Sequence, residues 1–210
     1  MATTDQVDTD TLLILFSQCR QQDGTLLTDA YANAYQETCK LLKLFGTVFG
    51  FVSSDIEERI TILRDYRSSE VADQYTSVQS MIEYEVANQL TDNRSRTSAV
   101  KTLLPLHRAL QFITALLLKL RDTDNEAVFS TAAIEAYDAT LAQYYSWIVN
   151  KGVHVAMKML PSRPELLKKM NLDETEEKMA LLTQLIDELN AIHGITEDLY
   201  AKDNLLTLEC

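Results

Sequence analysis

Asp55 and Arg59 stand four residues apart in FVSSDIEERITIL, so on a helix a carboxylate and a guanidinium project from one face. Such a pair is commonly an exposed ion pair contributing about a few tenths of a kcal/mol. The apolar run beside Asp55 leaves a binding role open, since Glu57 and Glu58 fit solvent exposure better than Asp55 does. A second set lies in VKTLLPLHRAL, where Lys101, Pro105 and Arg108 share a helical face and His107 stands beside them. Cations on so apolar a helix must reach solvent or meet an anion. Lys101 in an exposed first turn, with Arg108 paired to a core carboxylate, is the simpler alternative, and the residues alone do not choose.

The remaining reactive side chains form no familiar device. His107, His154 and His193 lack H-E-x-x-H or any other ligand spacing and read as packed or surface histidines. G-x-S-x-G, Walker and G-x-G-x-x-G sequences are absent. Cys19, Cys39 and Cys210 are odd in number and isolated, which indicates neither a disulfide framework nor a zinc site. These observations point away from an enzyme and imply no cofactor and no metal. The stretch AQYYSWIVNKGVHVAMKML gathers Tyr144, Tyr145 and the single Trp147 ahead of Lys151. An aromatic group at helical spacing is most often core, but Trp and Tyr near a cation also suit a membrane interface.

The elements that must position these groups are helices. Only 5 Gly and 3 Pro occur in 210 residues, too few turn residues for a β-rich fold of this size. Apolar periodicity predicts helices over 10–21, about 29–43, a stretch after Gly46 and Gly50 that is bent or closely packed at those glycines, and about 72–91. In the last of these Tyr75, Val78, Ile82, Val86 and Leu90 share the apolar face. Residues 99–121 are apolar around most of the circumference and predict a central buried helix. Pro105 either kinks a helix that begins near Ser98 or lies in the first turn of one that begins near Thr102. Three further helices are expected over 127–141, 142–160 and 174–202, interrupted by a turn at 160–167. No linker divides the chain, so a single domain over 1–210 is expected, with a disordered start of about residues 1–8.

A net charge of −12 disfavours nucleic acid as a partner and wholesale adhesion to anionic membrane, while leaving room for a local cationic pocket. The polar, acidic start and the lack of about 18 consecutive apolar residues predict a cytoplasmic protein without a membrane span.

Taken together, LFGTVFGFVSSDIEERI, VKTLLPLHRALQF, YYSWIVNKGVHVAMKMLPSRPELL and LYAKDNLL resemble the glycolipid transfer protein superfamily, and within it the branch that transfers ceramide 1-phosphate. The similarity runs through nearly the whole chain in the same order. It implies an all-α, two-layer sandwich of about eight helices, with sphingolipid chains in an apolar pocket between the layers and the headgroup in a polar surface site. It further implies a monomer that transfers lipid between membranes and touches intracellular membranes transiently as a peripheral protein. Asp55 matches the family Asp that binds the ceramide amide and hydroxyl. Arg59 stands where the phosphate-binding branch has a Lys, and Lys101 where it has an Arg. Pro105 replaces a further Arg, and Arg108 matches a basic position common in the family. Tyr145 occupies the place of a His that hydrogen-bonds the ceramide carbonyl, two residues before Trp147. On this resemblance the chain pocket is expected to use Phe49, Val52, Ile56, Phe112, Leu116, Ile148 and Val153. Trp147 and Lys151 are expected at the membrane interface, and Tyr144 in ordinary packing. The alternative is a helical adaptor or lipid sensor of the same fold with little transfer activity, favoured by the changes at Pro105 and Tyr145.

Overall fold

The computed structural model describes residues 7–46, 49–91 and 97–209, except for the side chain of Phe51. Among the described residues it is all-α, with nine helices and no β-structure beyond two isolated bridges. Helix α1 (Thr9–Cys19) buries Leu12, Phe16 and Cys19. It turns through Gly24, whose φ of 85° suits a residue without Cβ, into α2 (Thr28–Leu44). Gly46 at φ 110° ends that helix. The chain re-enters helix as α3 (Gly50–Arg67). A Cβ at Gly46 or Gly50 would meet no atom within 4 Å, so close packing does not explain either glycine, and Thr47 and Val48 between them lie outside the described residues. The expected disordered start falls mostly outside them too, but Val7 is buried and its N–H donates to the Lys169 carbonyl at 3.1 Å.

The predicted helix over 72–91 divides into a 3-10 turn (Ala72–Tyr75) and α4 (Val78–Ala87), started by a reciprocal Ser77/Ser80 cap. Its buried face carries Glu85, whereas Val86, expected there, is exposed. The reason is the next helix, α5 (Ala99–Asp122). The Glu85 carboxylate accepts the Ala99 and Val100 N–H groups at 2.8 and 3.2 Å, together with the hydroxyls of Ser98 and Tyr75. A buried anion on the positive end of a helix satisfies donors that have no partner within it.

With Ser98 as N-cap, Pro105 lies inside α5 rather than in its first turn. Tyr200 and Tyr35 donate to the nearby carbonyls of Val100 and Leu106 at 2.8 and 2.5 Å, tying this part of α5 to its neighbours. By length and composition α5 could cross a membrane, but most of its apolar window is buried by protein.

The predicted helix at 127–141 is α6 (Phe129–Thr140). The stretch 142–160 is not one helix. A 3-10 turn (Ala142–Tyr144) and extended Tyr145 precede α7 (Trp147–Met157), capped by Ser146. Asn150 bridges this break. It donates to the carbonyls of Ala142 and Tyr145 at 2.9 and 3.4 Å and accepts the Tyr137 hydroxyl at 2.6 Å. The expected turn at 160–167 contains the start of α8 (Arg163–Lys169), with Pro164 in its first turn, where the missing N–H costs least. Arg163 is buried and donates to the Leu120 and Arg121 carbonyls at the end of α5, and to Asn125 and Glu174. Last comes α9 (Glu176–Lys202).

Packing closes a ring: α1 on α2, α2 on α3, α3 on α5, α5 on α9 and α9 back on α1, with α6 laid on α5 and carrying α7. This two-layer sandwich encloses one cluster of buried apolar side chains running from Val7 to Leu205. By contrast α7 buries only Ala156 and Met157.

Candidate functional site

A cavity of about 190 Å³ lies where α3, α5 and α7 converge. Its walls come from helical stripes: Phe49, Val52 and Ile56 at the start of α3, Leu106, Ala109, Phe112 and Ile113 on α5, and Val149, Val153 and Met157 at period four on α7. Leu42, Tyr137 and Leu141 complete the apolar lining, while Asp55, Pro105 and Tyr145 stand among the same walls. A second hollow of about 110 Å³ is walled by Arg59, Pro105, Arg108, Leu141, Tyr144 and Tyr145. Pro105, Leu141 and Tyr145 border both spaces, so a cationic recess adjoins an apolar one.

The polar groups are held in place. Arg59 forks onto Asp55, with Nε to Oδ2 at 2.8 Å and Nη2 to Oδ1 at 3.0 Å. The carboxylate is about half exposed, which leaves room for a further donor. Arg108 lies 4.1 Å from the centre of the Tyr144 ring and donates to the Leu206 carbonyl at 2.9 Å. The extended backbone at Tyr145, fixed by Asn150, turns its phenol into the neck between the two spaces. Burial, and then the Asp55 carboxylate, push the Tyr145 hydroxyl above its ordinary pKa against the opposing pull of Arg59 and Arg108. It therefore remains a hydrogen-bond donor at neutral pH.

Asp55, Arg59, Arg108 and Tyr145 thus come together. Lys101, one turn before Pro105, does not line either space. Of the expected pocket residues, Phe49, Val52, Ile56, Phe112 and Val153 line the cavity. Leu116 is instead buried in the core about three turns beyond Pro105, and Ile148 is 74% exposed on the outer face of α7. Once the helix begins at Trp147, the inward stripe is Val149, Val153 and Met157, and the period of four was present in the sequence. Tyr144 is not ordinary packing but the platform under Arg108, and the Leu206 carbonyl beside it had no sequence signal.

The outer face of α7 and of the turn that follows it is apolar. Trp147, Ile148, Val155 and Met159 are all more than 60% exposed, and Lys151 Nζ lies 3.8 Å from the centre of the Trp147 ring.

The sequence matches the glycolipid transfer protein family over residues 26–172. It is 38% identical to the ceramide-1-phosphate transfer protein of Mus musculus over 203 residues, covering 94% of each chain. The crystal structure of the mouse protein without ligand superposes with a TM-score of 0.92 at 38% identity, over 97% of this chain and all of that one. The human protein in complex with 12:0 ceramide 1-phosphate gives a TM-score of 0.89 at 30% identity, over 96% of this chain and 99% of that one.

Proposed function

The chain belongs to the glycolipid transfer protein family, and we propose on that premise that it carries ceramide 1-phosphate between membranes, as a single-domain monomer. The observation that carries this reading is the shared neck: a molecule with an apolar tail and an anionic head finds both surroundings across Tyr145 and Pro105. Exposing a lipid chain to water costs about 0.8 kcal/mol per CH₂, so one long acyl chain faces a barrier of order 10 kcal/mol. Enclosing the chains against Phe49, Val52, Ile56, Phe112 and Val153 removes most of it.

The headgroup reading follows the same geometry. Arg59 and Arg108 present planar forks suited to phosphate oxygens, and Asp55 accepts from the lipid amide and hydroxyl. Tyr145 donates its phenolic hydrogen to the amide carbonyl in place of an imidazole. Lys101 acts from a turn away, through its charge rather than by contact. Pro105 supplies no guanidinium, so phosphate is held by two cations at close range. Each of these groups binds; none is asked to make or break a bond.

Docking falls to α7. Trp147 and Lys151 meet the membrane interface, with Ile148, Val155 and Met159 entering its apolar boundary. With a net charge of −12 this attachment is local and short-lived, which fits a protein moving through the cytoplasm between membranes.

Transfer of fluorescent ceramide 1-phosphate from donor to acceptor vesicles tests the reading. Protein-dependent transfer of the phosphorylated lipid, with much slower movement of unphosphorylated ceramide, is expected. Equal rates for the two would overturn the headgroup assignment. Tight binding without transfer would identify a lipid sensor instead.

A further inference from the structure

Behind Arg108, on the side away from the neck, lies a polar cavity of about 210 Å³ whose walls include His107, Gln111, Gln143, His193 and Glu197. Three of these side chains are metal ligands by type. His193 and Glu197 project from one face of α9 at i,i+4, and His107 faces them from α5. Each offers a donor atom, and the three atoms lie within 4.8 Å of one another. We propose that His107, His193 and Glu197 form a binding site for a zinc-class divalent cation that joins α5 to α9, in a cavity that shares Arg108 and Tyr144 with the neighbouring phosphate recess.

Two histidines and a carboxylate suit a borderline cation such as Zn²⁺ far better than they suit Mg²⁺ or Ca²⁺. The cavity leaves room for water, or for the amide oxygens of Gln111 and Gln143, at the remaining coordination position. Hydrogen bonding alone does not account for the cluster. The His107 Nε2 to Glu197 Oε2 contact is 2.6 Å, yet His107 Nδ1 is buried with no protein partner among the described residues. The two imidazoles stack with centres 4.3 Å apart and planes 19° from parallel, so one ring must turn out of the stack for both in-plane lone pairs to meet a single ion. Arg108 is the opposing charge nearby, but its guanidinium is engaged by the Tyr144 ring and the Leu206 carbonyl, and Glu197 offsets part of the cation's charge. The Glu197 side chain is 44% exposed, which gives the ion an entry path.

The test uses the tag-free, EDTA-treated full chain carrying Cys210→Ser, so that no terminal thiol competes. Isothermal titration with Zn²⁺ alone is expected to give one site per chain, and Co²⁺ to give visible d–d bands without the strong near-ultraviolet thiolate absorption. His193→Ala and Glu197→Gln should each weaken Zn²⁺ roughly tenfold or more. Both positions are partly exposed, so the variants avoid the folding defect that loss of buried His107 invites, and circular dichroism checks this. Absence of saturable Zn²⁺ binding, or binding that neither substitution alters, overturns the proposal. Vesicle transfer measured separately tells failure of this site from failure of the lipid reading.

Discussion

Replacing Arg59 by Met separates the lipid role of the Asp55–Arg59 pair from its structural one. In the free protein the pair lies at the surface of α3, with the Asp55 side chain about one half and the Arg59 side chain about one quarter exposed. An exposed i,i+4 pair contributes roughly 0.3–0.5 kcal/mol to stability. At roughly 2–4 °C per kcal/mol for a chain of this size, melting should fall by no more than about 2 °C. Binding should suffer far more. A fork turned partly toward phosphate supplies a charge-assisted hydrogen bond contributing roughly 1.5–3 kcal/mol, which is about a 10- to 100-fold change in Kd. Arg59→Lys keeps the charge but loses the fork, and should fall between. The assay is equilibrium binding of short-chain ceramide 1-phosphate by intrinsic Trp147 fluorescence, paired with scanning fluorimetry. If Arg59→Met bound ceramide 1-phosphate as tightly as the unaltered protein, the placement of phosphate in the Arg59–Arg108 recess would be wrong. If melting fell by 10 °C, Arg59 would be a folding residue and the loss of binding would say nothing about the headgroup.

Tyr145→Phe removes one neutral hydrogen bond of about 1 kcal/mol and should weaken ceramide 1-phosphate roughly fivefold without changing melting, measured by the same titration. Arg163→Met strips donors from the Leu120 and Arg121 carbonyls that end α5, which should cost about 2–4 kcal/mol and lower melting by roughly 5–15 °C in scanning calorimetry. Cys19 and Cys39 are buried, and burial pushes both thiols up to about 12. Peptide-resolved alkylation at pH 8 should therefore leave both unlabelled in the folded protein and label both in denaturant. Ile148→Glu places a charge on the outer face of α7 and should slow vesicle transfer severalfold while leaving lipid binding in solution intact; equal transfer rates would remove α7 from the docking face.

The helices were legible because burial imposes its period on the sequence. In the helix predicted over about 29–43, the apolar residues Tyr31, Tyr35, Cys39 and Leu42 recur at helical spacing and are all buried, and the apolar 99–121 run is the central helix. What escaped came from contacts between residues far apart in the chain. Glu85 reads as a surface residue until the amino end of α5 is placed against it, after which it displaces Val86 from the buried face. Asn150 bridges the break in the 142–160 stretch through hydrogen bonds to Ala142, Tyr145 and Tyr137, and no local propensity records those partners. That break moved the inward stripe of α7 from Ile148 to Val149. It also fixed the extended backbone that brings Tyr145 to the neck. At the site, Asp55 and Arg59 were legible as one helical face, whereas the shared wall of Pro105, Leu141 and Tyr145 exists only after three segments converge.

Native mass spectrometry after incubation with vesicles of mixed composition puts the carrier claim to the question in a single spectrum. Purified protein exposed to phosphatidylcholine vesicles that also contain ceramide, ceramide 1-phosphate and a neutral glycosphingolipid should return with one lipid per chain, and the mass of that lipid should be ceramide 1-phosphate. A protein that returns empty, or loaded with the glycosphingolipid in preference, would contradict an apolar cavity joined through Tyr145 to a phosphate-binding recess.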